Sequence, residues 1–231
     1  MDLTNQKVVI TGGSRGFGKS LAKAFIAEGA QVVILSNNKD ELEKTVAELS
    51  ADYFVADVTN YEDLEALGDH VVKKYGKVDI WINNAGIHIA PSSVEEVDRT
   101  KLHRLFEINF FGYFYGCQVA LRHMKKQGSG LIINVNSTAG LEGKPELSAY
   151  CSSKFAVKGL TESIRNEVVG SEIQIYALFP GGMQTDIYHE KYPSDINEYM
   201  LVDDVTAKVI ANLKSDNPEQ DFIMRRPKKQ I

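Results

Sequence analysis

Short aliphatic, β-branched runs alternate with longer amphipathic stretches along the chain. Lys7–Thr11, Gln31–Ser36, Tyr53–Val58, Asp79–Asn83, Leu131–Ser137, Ile173–Phe179 and Asp221–Arg225 read as strands. Between them Lys19–Gly29, Asp40–Ser50, Asn60–Tyr75, Thr100–Gln127, Ser148–Gly170 and Asp203–Lys214 read as helices. The first helix carries Leu21, Ala22, Phe25 and Ile26 on one side and stops at Gly29. Near-continuous apolar strands belong to a sheet buried on both faces. Strands alternating with helices predict a parallel sheet with helices on either side. Right-handed crossovers then bring the loops that follow the strands to one edge, where ligands bind. The Thr100–Gln127 stretch is apolar on more than one stripe: one stripe suits the sheet, another a second subunit. No internal repeat, low-complexity segment or linker interrupts the pattern, so residues 1–231 read as one domain.

Composition narrows the class. Hydrophobic residues make up 43% and charged residues 25%, ordinary values for a globular chain. A net charge of -5 gives no basic footprint for nucleic acid. The one basic run, Arg225-Arg226-Pro227-Lys228-Lys229, is expected to be a solvated tail. Two cysteines, Cys117 and Cys151, form neither a disulfide framework nor a metal-ligand spacing. Without a leader pattern or a long apolar run, a cytoplasmic protein with no membrane span is the expectation.

The chemistry-bearing residues fall at strand ends. Gly12-Gly13-Ser14-Arg15-Gly16-Phe17-Gly18 links the first strand to the first helix. Glycines admit a pyrophosphate close to the backbone, and the helix N-terminus offers N–H groups to its charge. The spacing differs from Gly-x-Gly-x-x-Gly. After the second strand come Ser36, Asn37, Asn38 and Lys39, with no carboxylate before Asp40. An acidic residue there would hold the 2′-hydroxyl of NAD and repel the 2′-phosphate of NADP. Its absence, with Arg15 in the glycine loop, favours NADP(H), with NAD(H) as the alternative. Asp57, beside Val58, is placed either to meet an adenine amino group or to cap the next helix. Asn83-Asn84-Ala85-Gly86 follows the fourth strand and lets the backbone pass near a cofactor.

Tyr150 and Lys154, four apart, share one helix face. A free phenol, with a pKa of about 10, is a poor proton donor at neutral pH. A fixed ammonium beside it lowers that value and makes it an acid/base. Ser137 at the end of the fifth strand faces the same pocket, where its hydroxyl would bind a substrate oxygen. Asn109, polar within an apolar helix, either bonds locally or holds a water leading toward Lys154. His88, Glu142, Met183 and Tyr188 are pocket candidates by position. Cys151 sits beside the tyrosine as a small helix residue open to oxidation.

In order and spacing these residues resemble the short-chain dehydrogenase/reductases. Thr11-Gly12-x-x-x-Gly16-x-Gly18, Asp57-Val58, Asn83-Asn84-Ala85-Gly86, the set Asn109, Ser137, Tyr150 and Lys154, and Pro180-Gly181 with Thr185 carry the resemblance. It implies a three-layer αβα Rossmann fold with a doubly wound parallel sheet of about seven strands, ordered 3-2-1-4-5-6-7. It implies that Tyr150 is the acid/base, that Lys154 lowers its pKa and binds the nicotinamide ribose, that Ser137 positions a carbonyl and that Asn109 supports a relay water. Pro180, Gly181 and Thr185 would lie near the nicotinamide carboxamide. The implied reaction moves a hydride between nicotinamide C4 and a carbonyl or alcohol carbon of a small molecule. A short substrate lid is expected over about residues 186–202, leaving an open site. A homodimer or homotetramer is expected through the 100–127 and 148–170 helices. Two other readings use the same residues: a non-catalytic NADP-sensing protein, and an isomerase or dehydratase.

Overall fold

The computed structural model describes residues 1–226. Seven strands form one parallel sheet: β1 (Lys7–Thr11), β2 (Gln31–Ser36), β3 (Asp52–Val55), β4 (Ile80–Asn83), β5 (Ser129–Val135), β6 (Glu172–Pro180) and β7 (Asp221–Met224). Their spatial order is β3-β2-β1-β4-β5-β6-β7. The order reverses between β1 and β4, where Val9 pairs with both Val33 and Trp81. The crevice that opens at such a reversal is where α/β sheets bind ligands.

Alternation along the strands divides the core. Val8, Ile10, Ile34, Ile82 and Ile133 face one way, against Leu21 and Phe25 of α1 (Gly16–Ala27), Leu42 of α2 (Lys39–Leu49) and Val205 and Val209 of α7 (Val202–Lys214). Val9, Val33, Trp81 and Ile132 face the other way. They meet Leu64 and Leu67 of α3 (Tyr61–Tyr75), Val119 and Met124 of α5 (Gly112–Gln127) and Ile164 of α6 (Ser148–Glu167). The fully enclosed Phe25 alone accounts for about 1.5–3 kcal/mol of burial. The helix ends follow local chemistry. Asn60 Oδ1 accepts from the Glu62 N–H at 2.9 Å to start α3, and Gly76 at φ +86° ends it.

Three expectations change. The Thr100–Gln127 stretch is α4 (Arg99–Phe106), a π-helical turn (Glu107–Phe111) and then α5. The wider turn inserts a residue into the helical register, which explains why no single stripe fits the sequence. The third strand stops at Val55 rather than Val58, leaving Asp57 and Val58 in the loop that follows. The fifth strand ends at Val135, and Ser137 instead caps a 3₁₀ turn over Thr138–Gly140.

Candidate active site

The loops after β1 to β6 enclose a cleft of about 1260 Å³ along one sheet edge. Gly12, Ser14, Arg15, Gly16, Phe17 and Gly18 form one wall, and Ser36, Asn37, Asp57 and Val58 lie beside it. Asn84, Ala85 and Gly86 follow, then Ser137, Tyr150 and Lys154, and finally Pro180, Gly181 and Thr185. Asn109 sits just behind this surface, fully buried.

The glycine loop depends on two close approaches. Gly12 holds φ +65°, and a Cβ there would come within 2.8 Å of the Ala85 Cα. A Cβ on Gly18 would lie 2.2 Å from the Gly12 carbonyl oxygen. The Asn84 amide fixes the loop from β4 by donating to the Thr11 and Gly12 carbonyls at 2.9 and 3.1 Å. Helix α1 starts at Gly16 without a side-chain cap and with no acidic residue in its first turn. Its leading N–H groups therefore suit an anion, and the cradle fits the pyrophosphate of a nicotinamide dinucleotide.

Two loop residues are engaged more tightly than expected. Asp57 Oδ1 accepts from the Thr59 N–H at 2.9 Å and from its hydroxyl at 2.8 Å, while Oδ2 receives Arg104 at 3.3 Å. Burial works against the Asp57 charge, but these bonds and Arg104 outweigh it and hold its pKa low. Arg15 pairs with Glu41 at 3.6 Å, and the Ser14 hydroxyl donates to the same carboxylate at 3.1 Å. Glu41, three residues into α2, escaped the sequence reading because one helical turn carries it back over the strand end.

At the other end Ser137 Oγ accepts from the Ala139 N–H at 3.1 Å. Its hydroxyl lies beside the Tyr150 phenol and favours the phenolate. Lys154 Nζ donates to the Val135 carbonyl at 3.0 Å and to the Tyr113 hydroxyl at 3.5 Å. Nζ also lies 4.9 Å from the Tyr113 ring centroid and 5.9 Å from that of Tyr150. Tyr113, four residues beyond Asn109, is a site residue the sequence reading missed.

These contacts correct the expected electrostatics. Burial is the largest influence on Tyr150 and pushes its phenol up to about 12, against the lowering effect of the Ser137 bond. Burial also brings Lys154 down to about 7. The ammonium's hydrogen bonds go to Val135 and Tyr113, and it stands over the face of the Tyr150 ring. Asn109 likewise departs from the simplest expectation. Its Oδ1 accepts from the Ile87 N–H at 2.8 Å, and its Nδ2 donates to the Ile87 carbonyl at 2.9 Å and to the Ser153 hydroxyl at 3.4 Å, so the amide is held by protein partners.

His88 is buried, with ring centroids 4.8 Å from Tyr150 and 5.3 Å from Tyr188. Glu142 and Met183 line the cleft as well. Glu190 in the 186–202 segment accepts from the Ala90 N–H at 3.0 Å and from Lys101 at 2.9 Å, which ties the segment to the region after β4. Arg225 and Arg226 are exposed, as a solvated run would be. They pair with Glu142 at 3.7 Å and Asp195 at 2.8 Å at the cleft rim, and Lys228 and Lys229 lie outside the described residues. Among the described residues no helix is long and apolar enough to cross a membrane, and no group of three acidic, histidine or cysteine side chains gathers to hold a metal ion.

A dinucleotide cradle at the β1/β4 reversal, with a phenol and a buried lysine at the far end of one cleft, defines a nicotinamide-dependent oxidoreductase site. Residues 6–195 match the short chain dehydrogenase family, and the chain belongs to it. It is 37% identical over 193 residues to a 2-dehydro-3-deoxy-L-rhamnonate dehydrogenase (NAD(+)) of Sphingomonas sp., covering 83% of this chain and 77% of that one. The fold superposes on a 3-ketoacyl-(acyl-carrier-protein) reductase from Brucella melitensis complexed with NADH, at TM-score 0.88 and 27% identity, over 96% of this chain and 97% of that one. It also superposes on an alcohol dehydrogenase from the archaeon Thermococcus sibiricus complexed with 5-hydroxy-NADP, at TM-score 0.86 and 25% identity, over 96% and 99%. The protein is an oxidoreductase that uses NAD(P)(H) to move a hydride between a nicotinamide and a carbonyl or alcohol carbon.

Proposed function

We propose that this chain reduces a small carbonyl compound, or oxidises the matching alcohol, with Tyr150 as the proton donor and acceptor. The observation that carries this is that Ser137, Tyr150 and Lys154 line the same cleft as the glycine loop. A substrate oxygen placed between these two hydroxyls receives one hydrogen bond from each, and the phenol proton passes to it as charge develops. The nicotinamide, when bound, supplies or accepts the hydride. Lys154 holds the β5 end through Val135 and offers its remaining proton toward a ribose. Asn109 pins the Ile87 backbone and so fixes the wall that carries His88. Any relay water beside it would be held by backbone in the π turn rather than by the Asn109 amide. The nearby Ser137 hydroxyl and a fully charged Lys154 are the two influences that favour the phenolate.

Arg15 and the absence of an acid at Ser36 support NADP(H) as the preferred cofactor, with NAD(H) accepted. Asn37 lies beside that position, and Asp57 and Val58 flank the adenine. Pro180, Gly181 and Thr185 support the carboxamide end. Residues 1–231 act as one domain, with 186–202 as the substrate cover. We read the chain as cytoplasmic, in keeping with two free, buried cysteines. We also read it as a homodimer or homotetramer, because Phe111, Phe114 and Phe155 stand exposed on the 100–127 and 148–170 helices.

The deciding experiment is a carbonyl and alcohol panel followed by nicotinamide absorbance, run on wild type and Tyr150→Phe. Turnover by the wild type on at least one compound, lost in the variant while NADPH still binds, is the expected result. Retained kcat in Tyr150→Phe removes the acid/base assignment.

A further inference from the structure

The adenosine end of the cleft is lined by Ser14, Arg15, Ser36, Asn37, Asn38 and Glu41. Among these six, Arg15 is the one cation and Glu41 the one acid. They are paired at 3.6 Å, and Ser14 donates to Glu41 at 3.1 Å. Glu41 is itself held in place. The Asn38 side chain accepts from its backbone N–H at 3.1 Å, which caps α2. One turn further on, the Thr45 hydroxyl donates to the Ser14 carbonyl at 2.7 Å, which straps the glycine loop to the same helix.

We infer that Glu41 sets the cofactor preference of this chain by competing with a 2′-phosphate for Arg15 and Ser14. This deepens the nucleotide reading above and rests on it. A phosphomonoester carries close to two negative charges at neutral pH. To use Arg15 it must draw the guanidinium from Glu41 and then sit beside an unpaired carboxylate. A free 2′-hydroxyl bears no charge, leaves the pair intact and has Glu41 available as an acceptor. Glu41 therefore does from the first turn of α2 what an acid at the end of β2 does by position, and it narrows the NADP(H) preference that Arg15 and Ser36 favour.

Fluorescence titration of NADPH and NADH against wild type and Glu41→Gln tests this without any substrate. Glutamine keeps an acceptor for Ser14 and leaves the Asn38 cap untouched, so the loop strap survives. NADPH affinity is expected to rise on the order of tenfold, the effect of one exposed charge on a phosphate, with NADH unchanged or weaker. The gain should shrink in high salt. An NADPH-to-NADH ratio that does not move on substitution overturns the inference. Equal loss of both cofactors also overturns it, because Glu41 would then be only a strap on the loop. The wild-type ratio separates the two readings. A wild type that prefers NADH defeats the proposed NADP(H) preference, yet leaves the role of Glu41 standing if Glu41→Gln moves the ratio toward NADPH. Arg15→Gln is the control and should cost NADPH affinity alone.

Discussion

Lys154 is a buried cation with no carboxylate partner among the described residues, held by one carbonyl and one phenol. Burial depresses it to about 7 from an ordinary 10.5, while the unfolded chain keeps the ordinary value. Between those two values the unfolded state binds more protons than the folded one, so this group makes stability rise with pH across the window. Below about 7 its cost is fully present. Lys154→Met should therefore be most stabilised relative to wild type at the acid end, with the difference shrinking toward the alkaline end. Urea unfolding at both ends measures it, and a difference independent of pH removes buried charge as the cause. Tyr150→Phe deletes only the hydroxyl. It should lower kcat by about 10²–10⁴-fold and leave the cofactor dissociation constant within error, read by stopped-flow turnover and fluorescence.

The π turn between α4 and α5 lets one element do two jobs. It delivers Asn109 to the Ile87 backbone and still leaves α5 to lay Val119 and Met124 on the sheet. Asn109→Leu would strand the Ile87 N–H and carbonyl in a partly buried site and should cost about 1–3 kcal/mol, read as a drop in urea midpoint at unchanged slope. The 186–202 segment is a second such element. Glu190 ties it to Ala90 and Lys101 through exposed bonds, so the tie is weak and reversible. Glu190→Gln should raise KM roughly two- to fivefold while the NADPH dissociation constant stays put. A change in cofactor binding instead would place the tie on the wrong side of the site.

At the scale of the molecule, Phe111, Phe114 and Phe155 are each close to half exposed on neighbouring helices. Phe114→Glu with Phe155→Glu should shift the protein toward monomer in light scattering while leaving the far-UV spectrum unchanged; an unchanged mass would mean assembly uses another face. The parallel sheet with helices on both faces and the edge that holds the cleft were legible in the sequence, because aliphatic runs and glycine turns are local signals and crossovers are right-handed; the strand order came from the family resemblance. The placing of Tyr150, Lys154 and Ser137 at one pocket was legible for the same reason, since each follows a strand that ends at that edge. Tertiary structure decided what those groups experience. Spacing brought Lys154 to the face of Tyr150, but burial and the competing bonds to Val135 and Tyr113 set the two pKa values in opposite directions from simple pairing. Glu41 and Tyr113 belong to the site because a helical turn and a π turn rotate them into it, and rotation about a helix axis is fixed by packing on the sheet rather than by any motif along the chain.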